Sequence, residues 1–166
     1  LDVDKNCVVI EQELSGVEKL LLVLMSPFLQ GIFLMMIIGG IYFEVQSPGL
    51  GLPSIIAIIG ALLYFSPLYL EGLAMNWEIV LFVVGLILLA VEIFVTPGFG
   101  LIGIMGVTIV LFSLVFSMVD NDLLYYQGEW NLGIVIKPLA LVLVSVFFAL
   151  VASIWGAAKL YPSRSF

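Results

Sequence analysis

Long apolar stretches alternate with short polar breaks along this chain. Residues 1–19 are largely polar; "CVVI" within them reads as a strand remnant, and "SGVEKLLLVL" as a short amphipathic segment suited to a membrane interface. Ser26-Pro27 then has the form of an N-cap followed by proline in the first helical turn. The run "FLQGIFLMMIIGGIYFEV" supplies about 18 apolar-rich residues, near the lower end of the roughly 17–25 that span a bilayer.

Ser47-Pro48-Gly49 ends this first run, and Pro53 opens a second, "SIIAIIGALLYF", which Pro67 disturbs. Counted to residue 65 it is about 13 residues, or roughly 20 Å, too short for a hydrocarbon core of about 30 Å. It either continues through a kink to residue 70, the reading adopted, or ends as a re-entrant half-helix. Tyr69 and Trp77 bracket the link to a third run at 78–95, as interfacial aromatics do, and a fourth covers 101–119. "DNDLLYYQGEWNLG" begins an interfacial loop over 120–137. Lys137-Pro138 opens a fifth run, 138–159, followed by a tail at 160–166. The expected fold is all-α: a polytopic membrane helical bundle of about five transmembrane helices.

One pattern recurs. "SPGLG" at 47–51 and "TPGFG" at 96–100 each join two apolar runs, 49 residues apart. Glu44 lies four residues before its proline, Glu92 five before Pro97. The chain therefore contains two helix–Pro-Gly-x-Gly–helix hairpins, repeat 1 at 26–70 and repeat 2 at 78–119. Both corners lie on one membrane side, which makes the repeats parallel. Proline halts the first helix and biases the residue before it away from helix. Gly49, Gly51, Gly98 and Gly100 are expected to supply positive φ angles at the corners and to let the two helices pack tightly. Gly100, Gly103 and Gly106 mark one thin side of the fourth run. Ser145, Ala149, Ser153 and Ala157 place a small residue at every fourth position of the fifth, so another helix can approach closely.

Composition agrees with the pattern. The chain has 166 residues, 63% hydrophobic and only 10% charged, too apolar for a water-soluble globule of this size. It has no histidine, one cysteine (Cys7) and one arginine (Arg164), which removes Ser-His-Asp chemistry, histidine-ligated metals and an internal disulfide. No cofactor is expected. Five basic residues against twelve acidic ones disfavour nucleic acid and anionic lipid as partners.

Glu44 and Glu92 are the ionisable residues within the apolar runs that invite a role. A charge at the centre of a membrane helix costs about 2.5–3.5 kcal/mol. Both lie about one turn from a corner, roughly 6 Å deep, where that cost falls. Each could fold over its corner and accept hydrogen bonds from the free N–H groups opening the next helix. Proton or ion carriage and simple snorkelling are the other readings; capping is preferred because no basic partner or relay of ionisable groups accompanies the pair. Other constellations fail. Asp120 and Asp122 sit in the polar loop rather than as an intramembrane pair, and "DND" lacks the remainder of a calcium loop. Lys137 reads as an interfacial anchor. No catalytic residues are assigned.

With five crossings, residues 1–25 and the loops near 66–77 and 120–137 share one side, and the corners and C-terminal tail the other. Lys159 and Arg164 place that tail in the cytoplasm.

The order apolar run, "YFEVQSPGLGLP", apolar run, "WEI", apolar run, "VEIFVTPGFGLIG", apolar run resembles the membrane region of the bacterial NfeD (nodulation-efficiency D) family over 26–119. Glu44, Pro48, Gly49, Gly51, Glu92, Pro97, Gly98 and Gly100 match its motif, with Pro53 opening the next helix, and their role there looks structural. The resemblance implies a long-form member with an extracytoplasmic ClpP-class serine-protease domain ahead of the membrane part and an OB-like barrel after it. It also implies residence in the bacterial cytoplasmic (inner) membrane with the N-terminal side outside. The partners it implies are the lipid bilayer and a stomatin/flotillin-type (SPFH) scaffold; homo-oligomers are compatible with it. The function expected is that of a membrane scaffold or anchor, and the alternative is a small proton- or ion-coupled transporter using Glu44 and Glu92.

Overall fold

In the computed structural model the described residues are 15–46, 49, 51–95, 100–120 and 132–160, without the side chains of 157 and 160. Helix α1 is Gly16–Leu24, and a two-residue elbow leads into α2, Pro27–Gln46. Then follow α3, Leu52–Leu70, α4, Asn76–Val95, α5, Leu101–Phe116, and α6, Leu132–Leu160. Lipid offers no hydrogen bonds to a backbone, so each apolar run satisfies its own N–H and C=O groups by coiling into a helix.

Helix α1 starts where Ser15 and Glu18 form a capping box: the Val17 N–H donates to Ser15 Oγ at 3.4 Å and the Ser15 N–H to the Glu18 carboxylate at 2.7 Å. Helices α2, α3, α4 and the 132–156 part of α6 are long and apolar enough to cross a bilayer. Helix α5 has only 16 residues, ending short of the expected residue 119. Its last turn tightens instead: the Met118 N–H bonds the Val115 carbonyl at 3.3 Å, and the Val119 N–H bonds that of Phe116 at 2.9 Å.

The expected continuation of α3 past Pro67 is found: the helix runs to Leu70 for 19 residues, about 28 Å, so the half-helix alternative falls. The expectation at Pro138 needs correction, because that proline does not open α6; the helix begins six residues earlier at Leu132, and the proline is interior. A proline removes one N–H bond, but leaving the apolar residues ahead of it uncoiled would strand many backbone groups at membrane depth. The expected loop over 120–137 is correspondingly shorter.

The helices pair as two antiparallel hairpins, α2 with α3 and α4 with α5, and α6 leans mainly on α2. Glycine makes these pairings close. A Cβ on Gly40 would lie 2.5 Å from the Pro53 carbonyl oxygen and 2.8 Å from Ala57 Cβ. One on Gly60 would lie 2.8 Å from Met36 Cβ. In the second hairpin, Gly85 faces Val110 (2.7 Å to Cγ2) and Gly106 faces Leu89 (3.0 Å to Cγ). Shifted by the 49-residue repeat, contact 40·57 becomes 89·106, and 36·60 falls within one residue of 85·110. The same crossings are reused, with the glycine moved to the opposite helix.

A turn over 71–75 joins the hairpins. Gly72 adopts φ +76°, its N–H bonds the Tyr69 carbonyl at 3.1 Å, and the Leu73 N–H bonds that of Leu68 at 2.9 Å. This is the Schellman closure, and it needs the left-handed glycine. Away from the corners the hairpins are also tied by buried polar bonds. Tyr64 Oη donates to the Leu114 carbonyl at 2.6 Å, with Ser117 Oγ 3.3 Å from that phenol and 3.0 Å from the same carbonyl. Phe65 packs on Phe82 at 5.1 Å between ring centroids.

Two glutamate-closed corners as the candidate functional site

Each corner brings its glutamate onto backbone. In the first, the Gly49 N–H donates to Glu44 Oε1 at 3.0 Å. In the second, the Gly100 N–H donates to Glu92 Oε1, and Gly100 is the N-cap residue of α5. The two bonds fall on different glycines of the motif, the third position of "SPGLG" and the fifth of "TPGFG". The cause lies in the spacing. Glu92 stands one residue earlier in its repeat than Glu44, and one residue turns a helical side chain by about 100°. That rotation carries Glu92 inward, to 3% exposure, whereas Glu44 is only half-buried. The second corner thus delivers a carboxylate to the residue that opens the next helix; at the first, the Gly49 bond is made two residues before the N-cap Gly51.

Gly100 is a close neighbour of this carboxylate, since a Cβ there would lie 3.1 Å from Glu92 Oε1. Glu92 Oε2 is buried and has no hydrogen-bond partner among the described residues. Pro53 sits in the first turn of α3, where its missing N–H costs nothing. Pro48, Pro97 and Gly98 lie outside the described residues.

The row on α6 turns inward. Ser145, Ala149 and Ser153 are buried, and Ser145 and Ser153 sit over Gly31 and Gly39 of α2, where an added Cβ would lie 3.5 and 3.7 Å from the respective Oγ atoms. Eight residues separate each pair on both helices in the same sense, so α2 and α6 run parallel. The face that the row offers is taken up by the chain's own first crossing, and the side chain of Ala157 lies outside the described residues.

Several buried polar groups escaped the sequence reading. Glu78, wholly buried, accepts the Met75 N–H at 2.8 Å at the start of α4, and its own carbonyl accepts from Ser113 Oγ at 2.7 Å. Gln30 is buried under α1, and its Nε2 donates to the Leu24 carbonyl at 3.0 Å. Ser113 and Ser117, four apart on one face within an apolar run, were the available signal.

Taken together, the apolar crossing helices and paired hairpins define a multi-pass α-helical membrane protein with a duplicated core. The chain belongs to the NfeD family: the NfeD integral membrane domain matches residues 28–156. It is 38% identical over 100 residues to membrane protein NfeD1b of Bacillus subtilis (strain 168), a stretch covering 60% of this chain but 22% of that protein. The chain therefore spans under a quarter of the relative's length. No solved structure matches it.

Proposed function

We propose that this chain is the membrane scaffold of an NfeD-type protein, holding soluble domains and docking beside a stomatin/flotillin-type (SPFH) membrane protein. The observation that carries the reading is that both corner glutamates accept backbone N–H groups of their own corners. Such bonds shape hairpins. On this reading Glu44, Gly49, Gly51, Pro53, Glu92 and Gly100 are structural, together with Pro48, Pro97 and Gly98 of the same motif, and Ser145, Ala149 and Ser153 serve packing within the chain. The chain itself is not an enzyme; a ClpP-class protease domain and an OB-like barrel of the parent protein are what it anchors. It resides in the bacterial cytoplasmic membrane with its N-terminal side outside.

Pull-down of the parent protein from native membranes, followed by mass spectrometry, tests this. Recovery of an SPFH-type protein is expected, and repeated recovery of none overturns the partnership. A second reading, proton or ion transport, draws on the buried Oε2 of Glu92. Liposomes loaded with a pH-sensitive dye discriminate: a gradient that collapses with wild type but persists with Glu92→Gln would favour transport over scaffolding.

A further inference from the structure

Between the two hairpins, on the corner side, lies an apolar cleft of about 550 Å³. Gly40 and Ala57 line it from the first hairpin; Leu86, Ala90 and Phe94 line it from the second. Its only described ionisable lining residue is Glu44, close to Gly49 at the corner. From Phe94 to Leu86 the lining descends eight helical residues, about 12 Å, close to the roughly 15 Å thickness of one hydrocarbon leaflet.

We propose that this cleft holds one acyl chain of a phospholipid from the leaflet on the corner side, with an amine-bearing headgroup at the Glu44 end. Three features favour that occupant. The cleft opens sideways onto the bilayer: Phe94, 76% exposed, stands at its rim and continues the lipid-facing surface. Its wall cannot move inward on the first hairpin, because Gly40 and Ala57 already touch through backbone. An unfilled groove would forfeit dispersion contacts along its whole length, and within a bilayer the groups at hand to restore them are acyl chains. At the mouth, no lysine or arginine is among the described lining residues, so a carboxylate faces the headgroup level and an ammonium complements it.

The test compares wild type with Ala90→Phe, which fills the cleft from its open side, and Ala140→Phe, an exposed α6 position outside the lining. Each is extracted in mild detergent, washed, and weighed by native mass spectrometry. Wild type and Ala140→Phe are expected to retain one phospholipid per chain, and Ala90→Phe to lose it by about fivefold or more. Equal retention in Ala90→Phe, no phospholipid on wild type, or a polypeptide in its place overturns the assignment. Circular dichroism confirms that the variant is folded; should it not be, Ala90→Leu carries the same test. Purified from membranes equimolar in phosphatidylethanolamine and phosphatidylglycerol, wild type should favour the former by about threefold and Glu44→Gln should not. The same preference in both overturns the headgroup assignment.

Discussion

Replacing Gly85 by alanine adds one methyl group where α4 and α5 are closest. That carbon would sit 2.7 Å from Val110 Cγ2, 3.0 Å from the Val110 amide nitrogen and 3.1 Å from the Gly106 carbonyl oxygen. Two of the three neighbours are backbone, so no rotamer change relieves them and the helices must separate. Overpacking of this kind costs about 1–3 kcal/mol. In water, alanine would recover about 0.8–1.0 kcal/mol through helix propensity. In a membrane the unassembled helices remain helical, which removes most of that compensation. Gly39→Ala is the matched control, because its nearest neighbour, Ser153 Oγ, would lie at an ordinary 3.7 Å. Reversible unfolding in mixed micelles should show Gly85→Ala destabilised by about 1–3 kcal/mol and Gly39→Ala within about 0.5 kcal/mol of wild type. Adding Val110→Ala should return part of the loss, since it removes the shortest contact and leaves the backbone ones. If Gly85→Ala and Gly39→Ala unfold alike, the close approach is not what holds this hairpin.

Four further outcomes are expected. Glu92→Ala leaves the Gly100 N–H without its acceptor and should cost about 1–3 kcal/mol, while Glu92→Gln, which keeps a carbonyl oxygen, should cost less than half as much in the same micelle titration. Tyr64→Phe should cost about 1 kcal/mol, because Ser117 still serves the Leu114 carbonyl; with Ser117→Ala added, the loss should exceed the sum of the single variants. Gly72→Ala forces a Cβ into left-handed backbone and should lower stability by about 1–2 kcal/mol, measurable as a reduced unfolding midpoint. Ser153→Leu should push α6 off Gly39, costing about 1–3 kcal/mol and weakening a designed disulfide between α2 and α6.

Much of the molecule could be read before its coordinates. The hairpins were legible from the apolar runs on either side of each motif, but the positive φ expected of the corner glycines is not what Gly51 (φ −95°) and Gly100 (φ −109°) adopt; both are extended N-cap residues. Pro138 was over-read: proline's habit of ending helices is strongest where water can receive the freed carbonyls, which a bilayer core denies. Gly106 stood out on its thin helix face, but Gly40, Gly60 and Gly85 acquire meaning only once it is known which helix lies opposite. The same holds for Tyr64, whose partner is the backbone carbonyl of Leu114 on another helix, whereas Glu78 meets Met75 locally at the start of its own helix. The serine and alanine row on α6 was visible as a surface for close approach; that its neighbour is α2 of the same chain depended on the number and direction of the intervening crossings.

The bonds between the hairpins, made by Tyr64 and Ser117, and the α4–α5 bond of Ser113 lie toward the end remote from the corners, whereas the cleft between the hairpins at the opposite end is lined mainly by apolar residues. A lateral load on the bilayer would therefore meet directional hydrogen bonds at one end of this seam and non-directional apolar contact at the other.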